Sequence, residues 1–169
     1  VPKDAGVEVG KKEEKLGLRA SDTTALLFDD VRIPAENRLT EVGRGLSAAF
    51  HILTGGRVGI ASQATGLAQA ALDDAVAYAN EREQFGGPIS QIQSIRHKIA
   101  DMGTKVHASR TMVREAARIA DAGEDTRTAA AMAKYYASEL AVDVTNEAVQ
   151  VHGGYGYTTD FDVERYYRD

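Results

Sequence analysis

The chain has 169 residues, of which 43% are hydrophobic and 27% charged, with a formal net charge of -5. This provides for one globular domain, or one domain with part of a neighbour, and excludes a disordered chain. The acidic balance offers no basic footprint for nucleic acid or an anionic membrane surface, and the absence of cysteine excludes disulfides, a thiol nucleophile and a zinc–thiolate site.

No apolar run approaches the ~20 residues of a membrane span, and no signal-peptide pattern is visible. The first residue is Val1, so the sequence reads as a piece of a longer chain. Residues 1–40 hold Pro2 and Pro34 and short alternating runs. "VEVGKKEEKLG" reads as a strand leading into a charged turn, and "TTALLFDDVRIP" as a strand stopped by Pro34. Two or three strands make a poor core by themselves, so this part reads as the tail of a β-domain.

From Gly43 the pattern becomes helical. A first helix is expected from about Leu46 to Asn80, with Ile60, Ala64, Leu67, Ala71, Ala75 and Tyr78 on its inner face. Gly55, Gly56 and Gly59 fall inside it and point to a kink or a close approach of another group. A second helix is expected from Pro88 or Ile89, with a seam of Ile92, Ile95, Ile99, Met102, Val106, Val113 and Ala120, ending at a left-handed cap on Gly123. A third should run from Asp125 or Thr126 to Gln150 on Ala129, Ala133, Ala137, Leu140, Val144 and Ala148. A fourth, short helix is expected from Asp160 or Phe161. The predicted fold is mainly α: an up-and-down helical bundle preceded by a few β-strands.

The four histidines (51, 97, 107 and 152) form no i, i+4 pair, and no metal site is expected. "GGYG", at residues 153–156, has the look of a phosphate loop, but it follows a helix, where the dipole end is negative; a left-handed cap and a sharp turn fit the local chemistry better. Such glycines could also let a flat ligand approach the backbone. "REQFGGP" combines Arg82, Gln84, Phe85 and two glycines. Its arginine suits either a phosphate, through its bidentate fork, or the helix dipole. Arg57, in "GGRVG", has room to anchor a polar ligand or to pair with a surface carboxylate.

Taken in register, "KLGLRASDTTALLFDDVRIPAENRL", "GRVGIASQATGLAQAALDDAVAYANEREQFGGPISQIQSIRHKIADM", "AAMAKYYASELA" and "QVHGGYGYTTDFDVERYYRD" resemble the acyl-CoA dehydrogenase family, above all its short-chain, butyryl-type members. The resemblance covers nearly the whole chain. It implies a division into a remnant of the central β-domain, 1–40, and a C-terminal helical domain, 41–169. It also implies a flavin enzyme that oxidises acyl-CoA to trans-2-enoyl-CoA, a glutamate taking the α-proton while the β-hydrogen leaves as hydride to FAD. Electron-transfer flavoprotein would be the acceptor and the assembly a homodimer or homotetramer, in the cytoplasm or, in a eukaryote, the mitochondrial matrix.

By the same resemblance, Arg82 reaches the FAD pyrophosphate of a neighbouring subunit. Gln84, Phe85 and Gln93 are further FAD contacts, and Gln150, Val151, His152, Gly153 and Gly154 lie along its ADP portion. His152 stands where the family usually carries an aliphatic residue or phenylalanine. Thr54, Gly55, Gly56 and Arg57 match a substrate-contacting stretch. The catalytic glutamate is expected beyond Asp169, in a Tyr-Glu-Gly-Thr-like motif, because Gly56 occupies the position a minority of members use for it. The chain alone is then expected to be inactive. The alternatives are another flavoenzyme on the same scaffold, an acyl-CoA oxidase or flavin monooxygenase relative, and a non-catalytic helical oligomerisation module.

Overall fold

The computed structural model describes residues 6–169; the start of the expected β-remnant, Val1 to Ala5 with Pro2, lies outside the described residues. The described residues form two compact units. One runs up to His51 and takes in Arg168 and Asp169; the other is Ile52–Tyr167.

The first unit is built on two antiparallel strands, β1 (Val7–Lys12) and β2 (Thr24–Phe28), with Val7 opposite Phe28 and Val9 opposite Leu26. The register shifts between Val9 and Lys12, where the Thr24 hydroxyl donates to the Gly10 carbonyl at 2.7 Å. β2 ends at Phe28 and not at Pro34: the chain turns at Asp29–Asp30, and Asp30 has φ 46. Pro34 instead heads a short 3-10 turn, Ala35–Asn37. Val9, Leu26, Leu27 and Phe28 are all exposed. Successive strand residues face opposite sides, so both faces of this ribbon are apolar and neither is covered within the unit.

The second unit is a bundle of three long helices. α1 (Gly45–Glu81) begins in the first unit and continues without interruption through Gly55, Gly56 and Gly59. The space beside these glycines is open: a Cβ at any of the three would have no neighbour within 4 Å. A two-strand hairpin follows, β3 (Glu83–Gln84) with β4 (Gly87–Pro88), and then α2 (Gln93–Asp121), α3 (Arg127–His152) and a short α4 (Val163–Arg168).

The second helix starts later than expected. Pro88 heads a single 3-10 turn, Ile89–Gln91, and extended Ile92 separates that turn from α2. α2 ends as its glycine predicts. Gly123 has φ +71, its N–H bonds to Ala120 O, and Glu124 N–H bonds to Ile119 O, which together form a Schellman cap.

The core seam is made of small residues. Ala61, Thr65, Ala68, Ala71, Ala75 and Ala79 are buried on α1. The expected positions Ile60, Ala64 and Leu67 sit one residue off that line, and Ile60 is exposed, because the alanine stripe lets the neighbouring helices approach where an isoleucine would hold them apart. On α2, Met102, Val106, Ser109, Val113 and Ala116 are buried, whereas the expected Ala120 lies exposed beyond them. α3 contributes Ala133, Ala137, Leu140, Val144 and Ala148, as its period predicts, with Ala130 in place of half-buried Ala129.

Inter-helix polar contacts fix the directions. Thr65 on α1 meets Ser109 on α2 at 2.7 Å, and Lys98 and Lys105 on α2 pair with Glu147 and Asp143 on α3. Further along, Gly103 of α2 lies beside Leu72 of α1, so α2 runs antiparallel to both of its neighbours, and the ends of α1 and α3 come to the same end of the bundle. None of the helices among the described residues is long and apolar enough to cross a membrane.

Candidate functional site

Where α1 and α3 end together, a cleft of about 450 Å³ opens, lined by Tyr78, Arg82, Gln84, Ile89, Val151, His152, Gly153, Gly154, Tyr155 and Thr158. Its floor is aromatic. His152 is buried, stacks on Tyr78 with ring centroids 4.2 Å apart and meets the edge of Phe161 at 5.4 Å. Phe161 also packs against Tyr78 and Tyr155 at 5.6 and 5.7 Å. The His152 Nδ1–H donates to the Ala148 carbonyl at 2.8 Å.

The rim is polar and backbone-rich. Arg82 follows the last turn of α1, its N–H bonded to Tyr78 O at 2.8 Å, and its guanidinium lies 5.3 Å over the Tyr155 ring. Two helix C-termini converge here, and each carries a partial negative charge. The arginine supplies the cation that such a place favours, and its fork is the feature able to hold an anion. Gly153 caps α3 with φ 60 and ψ -135. Its φ is positive, as expected of a cap, but its ψ carries it out of the left-handed helical region into one that essentially only glycine enters. The chain then tightens into a 3-10 turn, Gly153–Tyr157. A side chain on Gly156 would meet Val149 O at 2.5 Å, whereas Gly154 faces open space.

Of the residues singled out from sequence, the cleft brings together Arg82, Gln84, Val151, His152, Gly153 and Gly154. Phe85 is not part of its lining. It stands at the tip of the β3–β4 hairpin, 96% exposed, with φ 54 next to Gly86 at φ 91, the dihedral signs of a type I′ turn. Gln150 is exposed on α3, and Gln93 lies by a second depression with Arg96, His97 and Ala100 on α2. Thr54, Gly55, Gly56 and Arg57 are in the early part of α1, with Arg57 half-buried.

Tyr78, Ile89, Tyr155 and Thr158 line the cleft without having been singled out as site residues. Tyr78 has the helical spacing of a core residue, and only its place four residues before Arg82 marks it as part of the rim. Among the described residues, no cluster of His, Cys, Asp or Glu could hold a metal ion.

Residues 43–169 match the family model described as "Acyl-CoA dehydrogenase, C-terminal domain". The chain belongs to the acyl-CoA dehydrogenase family. It is 48% identical over 164 residues to the short-chain-specific acyl-CoA dehydrogenase of Megasphaera elsdenii, covering 97% of this chain and 43% of that protein. To the caffeyl-CoA reductase–Etf complex subunit CarC of Acetobacterium woodii it is 48% identical over 167 residues, 99% of this chain and 44% of that one. The solved structure of butyryl-CoA dehydrogenase from Megasphaera elsdenii superposes with a TM-score of 0.98 at 46% identity, again over 99% of this chain and 44% of its own length. The chain thus spans less than half the length of these acyl-CoA dehydrogenase relatives.

Proposed function

We propose that this chain is the C-terminal part of a FAD-dependent, short-chain acyl-CoA dehydrogenase that oxidises acyl-CoA to trans-2-enoyl-CoA and passes its electrons to an electron-transfer flavoprotein. Residues 41–169 are read as the helical domain, and residues up to 40 as the tail of the β-domain. The observation that carries the reading is the cleft, where a guanidinium, the Gln84 amide and two glycines without side chains meet beside an aromatic floor. Arg82 suits a pyrophosphate, and the open backbone at Gly154 admits a ligand against the main chain. Arg82, Gln84 and the 151–154 segment would hold FAD, with Phe85, Gln93 and Gln150 as outlying contacts. FAD, when bound, supplies acceptance of a hydride.

This chain's own work is to bind and orient. Thr54 to Arg57 would meet the acyl-CoA. Along α1, Arg57 and the helix end beside Arg82 are separated by about 36 Å, at 1.5 Å per residue. The two stretches are therefore read as serving different sites, and a homodimer or homotetramer in which the cleft receives a neighbour's cofactor would satisfy both. Neither the cleft lining nor residues 54–57 include a carboxylate to take the α-proton.

Two measurements test this. The full-length protein should carry flavin and convert butyryl-CoA to crotonyl-CoA, whereas these 169 residues alone should not. Arg82→Lys, which keeps the charge and loses the fork, should weaken FAD binding about tenfold while the helical circular dichroism stays unchanged. Flavin-free, inactive full-length protein would sink the reading.

A further inference from the structure

We propose that His152 is a hydrogen-bond acceptor that reads a sugar hydroxyl of the dinucleotide in the cleft. This positioning role rests on the cofactor reading above. The imidazole is 4% exposed, and its Nδ1 lies 2.8 Å from the Ala148 carbonyl oxygen. A carbonyl has no proton to give, so Nδ1 carries the hydrogen, and in the neutral ring the lone pair is on Nε2.

No described group bonds Nε2. Yet no buried side-chain nitrogen or oxygen among the described residues is left without a partner, so Nε2 is not sealed in the core. It opens to the cleft that His152 lines. The ring is held in this pose by the Tyr78 face at 4.2 Å, the Phe161 edge at 5.4 Å and the Ala148 bond. Exchanging its two nitrogens would place a lone pair against the carbonyl. The cleft therefore presents, from an otherwise aromatic floor, one fixed point that accepts a proton and donates none.

That point selects among the groups of a dinucleotide. Phosphate oxygens also only accept, so they are repelled by Nε2 and attracted by Arg82 on the rim. The groups next to the phosphates are sugar hydroxyls: ribose on the adenosine side, ribityl on the flavin side. Both have an O–H to give. With phosphate on Arg82 and a hydroxyl on His152, the ligand has one direction through the cleft. Phenylalanine at this position would keep the stacking and lose the directional contact.

The test is flavin-fluorescence titration of the full-length apoprotein with FAD and with FMN, which lacks the adenosine half. H152F should bind FAD about three- to tenfold more weakly than wild type, the worth of one hydrogen bond. H152Q, whose amide oxygen can reach the Nε2 position, should stay within about twofold. If FMN binding is unchanged in H152F, the hydroxyl is that of the adenosine ribose; if it falls in parallel, the hydroxyl is on the ribityl chain. Nitrogen NMR of labelled histidine should show a protonated Nδ1 and a bare Nε2. Equal FAD affinity of a folded H152F, or a proton found on Nε2, overturns the proposal and leaves the cofactor reading intact. A wild-type protein that binds no FAD overturns both. Should H152F not fold, an H152Q that loses affinity tenfold decides against it.

Discussion

The two ends of the bundle solve different problems. At the Ala61 end, α1, α2 and α3 meet through Ala61, Val113, Ala116, Ala133 and Ala137, and the buried Thr65–Ser109 pair lies one turn further along. At the other end α1 and α3 carry Tyr78 and His152, Phe161 from the loop before α4 packs against both, and the packing opens into a cleft. Small side chains bring helices close and fix their relative height; rings keep them apart and leave room for a ligand. The difference teaches that the alanine seam sets where the aromatic end can be, so a change in the seam should disturb the cleft without touching it.

The largest expected effects lie in the seam. Met102, 1% exposed, is among the largest fully buried side chains. Met102→Ala should cost about 2–5 kcal/mol of stability through its cavity, read by urea unfolding. Ala137→Leu works in the opposite sense, forcing a larger side chain where Ala61 and Ala133 leave no space, for about 1–3 kcal/mol. If Ala137→Leu were neutral, the helices would not be held at alanine distance.

The buried Thr65–Ser109 pair comes next. Thr65 gives its only proton to Ala61 O at 2.8 Å, so Ser109 donates to Thr65 at 2.7 Å. Thr65→Val strands that donor and should cost about 1–3 kcal/mol, whereas the double change Thr65→Val with Ser109→Ala should be milder, because no buried polar group is then orphaned. A double mutant as unstable as the sum of two singles would show that the pair acts through packing alone.

These regions were unequally legible in the sequence. The period of α3 marks Ala133, Ala137, Leu140, Val144 and Ala148 correctly, because these residues keep an unbroken spacing of three or four along the helix. α1 is harder: alanine, glycine and isoleucine alternate around the helix, and hydrophobicity favours Ile60 where size favours Ala61. The cleft could be assembled only in part. Arg82 and the 151–154 glycine segment lie some seventy positions apart, and no local pattern says that two helix ends converge. Tyr78 reads as core, and the strained dihedral of Phe85 has no trace in "QFGG". The β1–β2 ribbon was legible as strands, but not its stopping point at Asp29–Asp30.

Phe85 offers a smaller and more pointed contrast with the seam. A bulky residue at φ 54 is strained, and asparagine suits the first position of a type I′ turn before Gly86. Phe85→Asn should stabilise the hairpin by about 1 kcal/mol or less, seen as a slight rise in Tm. In the flavin-dependent reading it should also weaken FAD binding, because the exposed ring is then present for contact and not for folding. A fall in Tm would show that the phenylalanine supports the hairpin after all.

The smallest effect lies far from the cleft, where α3 begins. Asp125 accepts the Arg127 backbone N–H at 3.1 Å and its guanidinium at 2.6 Å, and these contacts lower the carboxyl from its ordinary 3.8 to about 2, the side-chain bond being the larger cause. A carboxyl whose value is lower in the folded state adds stability above its unfolded value and loses it as pH falls through the folded one. The gain should therefore be present at neutral pH and disappear between about pH 4 and 2. Both partners are exposed, so salt should erode the gain as well. Protection of the Arg127 amide against hydrogen exchange should follow this titration in the wild type, and Asp125→Asn should remove the step while leaving the global Tm almost unchanged. An Asp125 that titrates at its ordinary value would mean that the first turn of α3 is organised by Thr126 and the chain direction alone, and the alanine seam behind it would then suffice to start the helix.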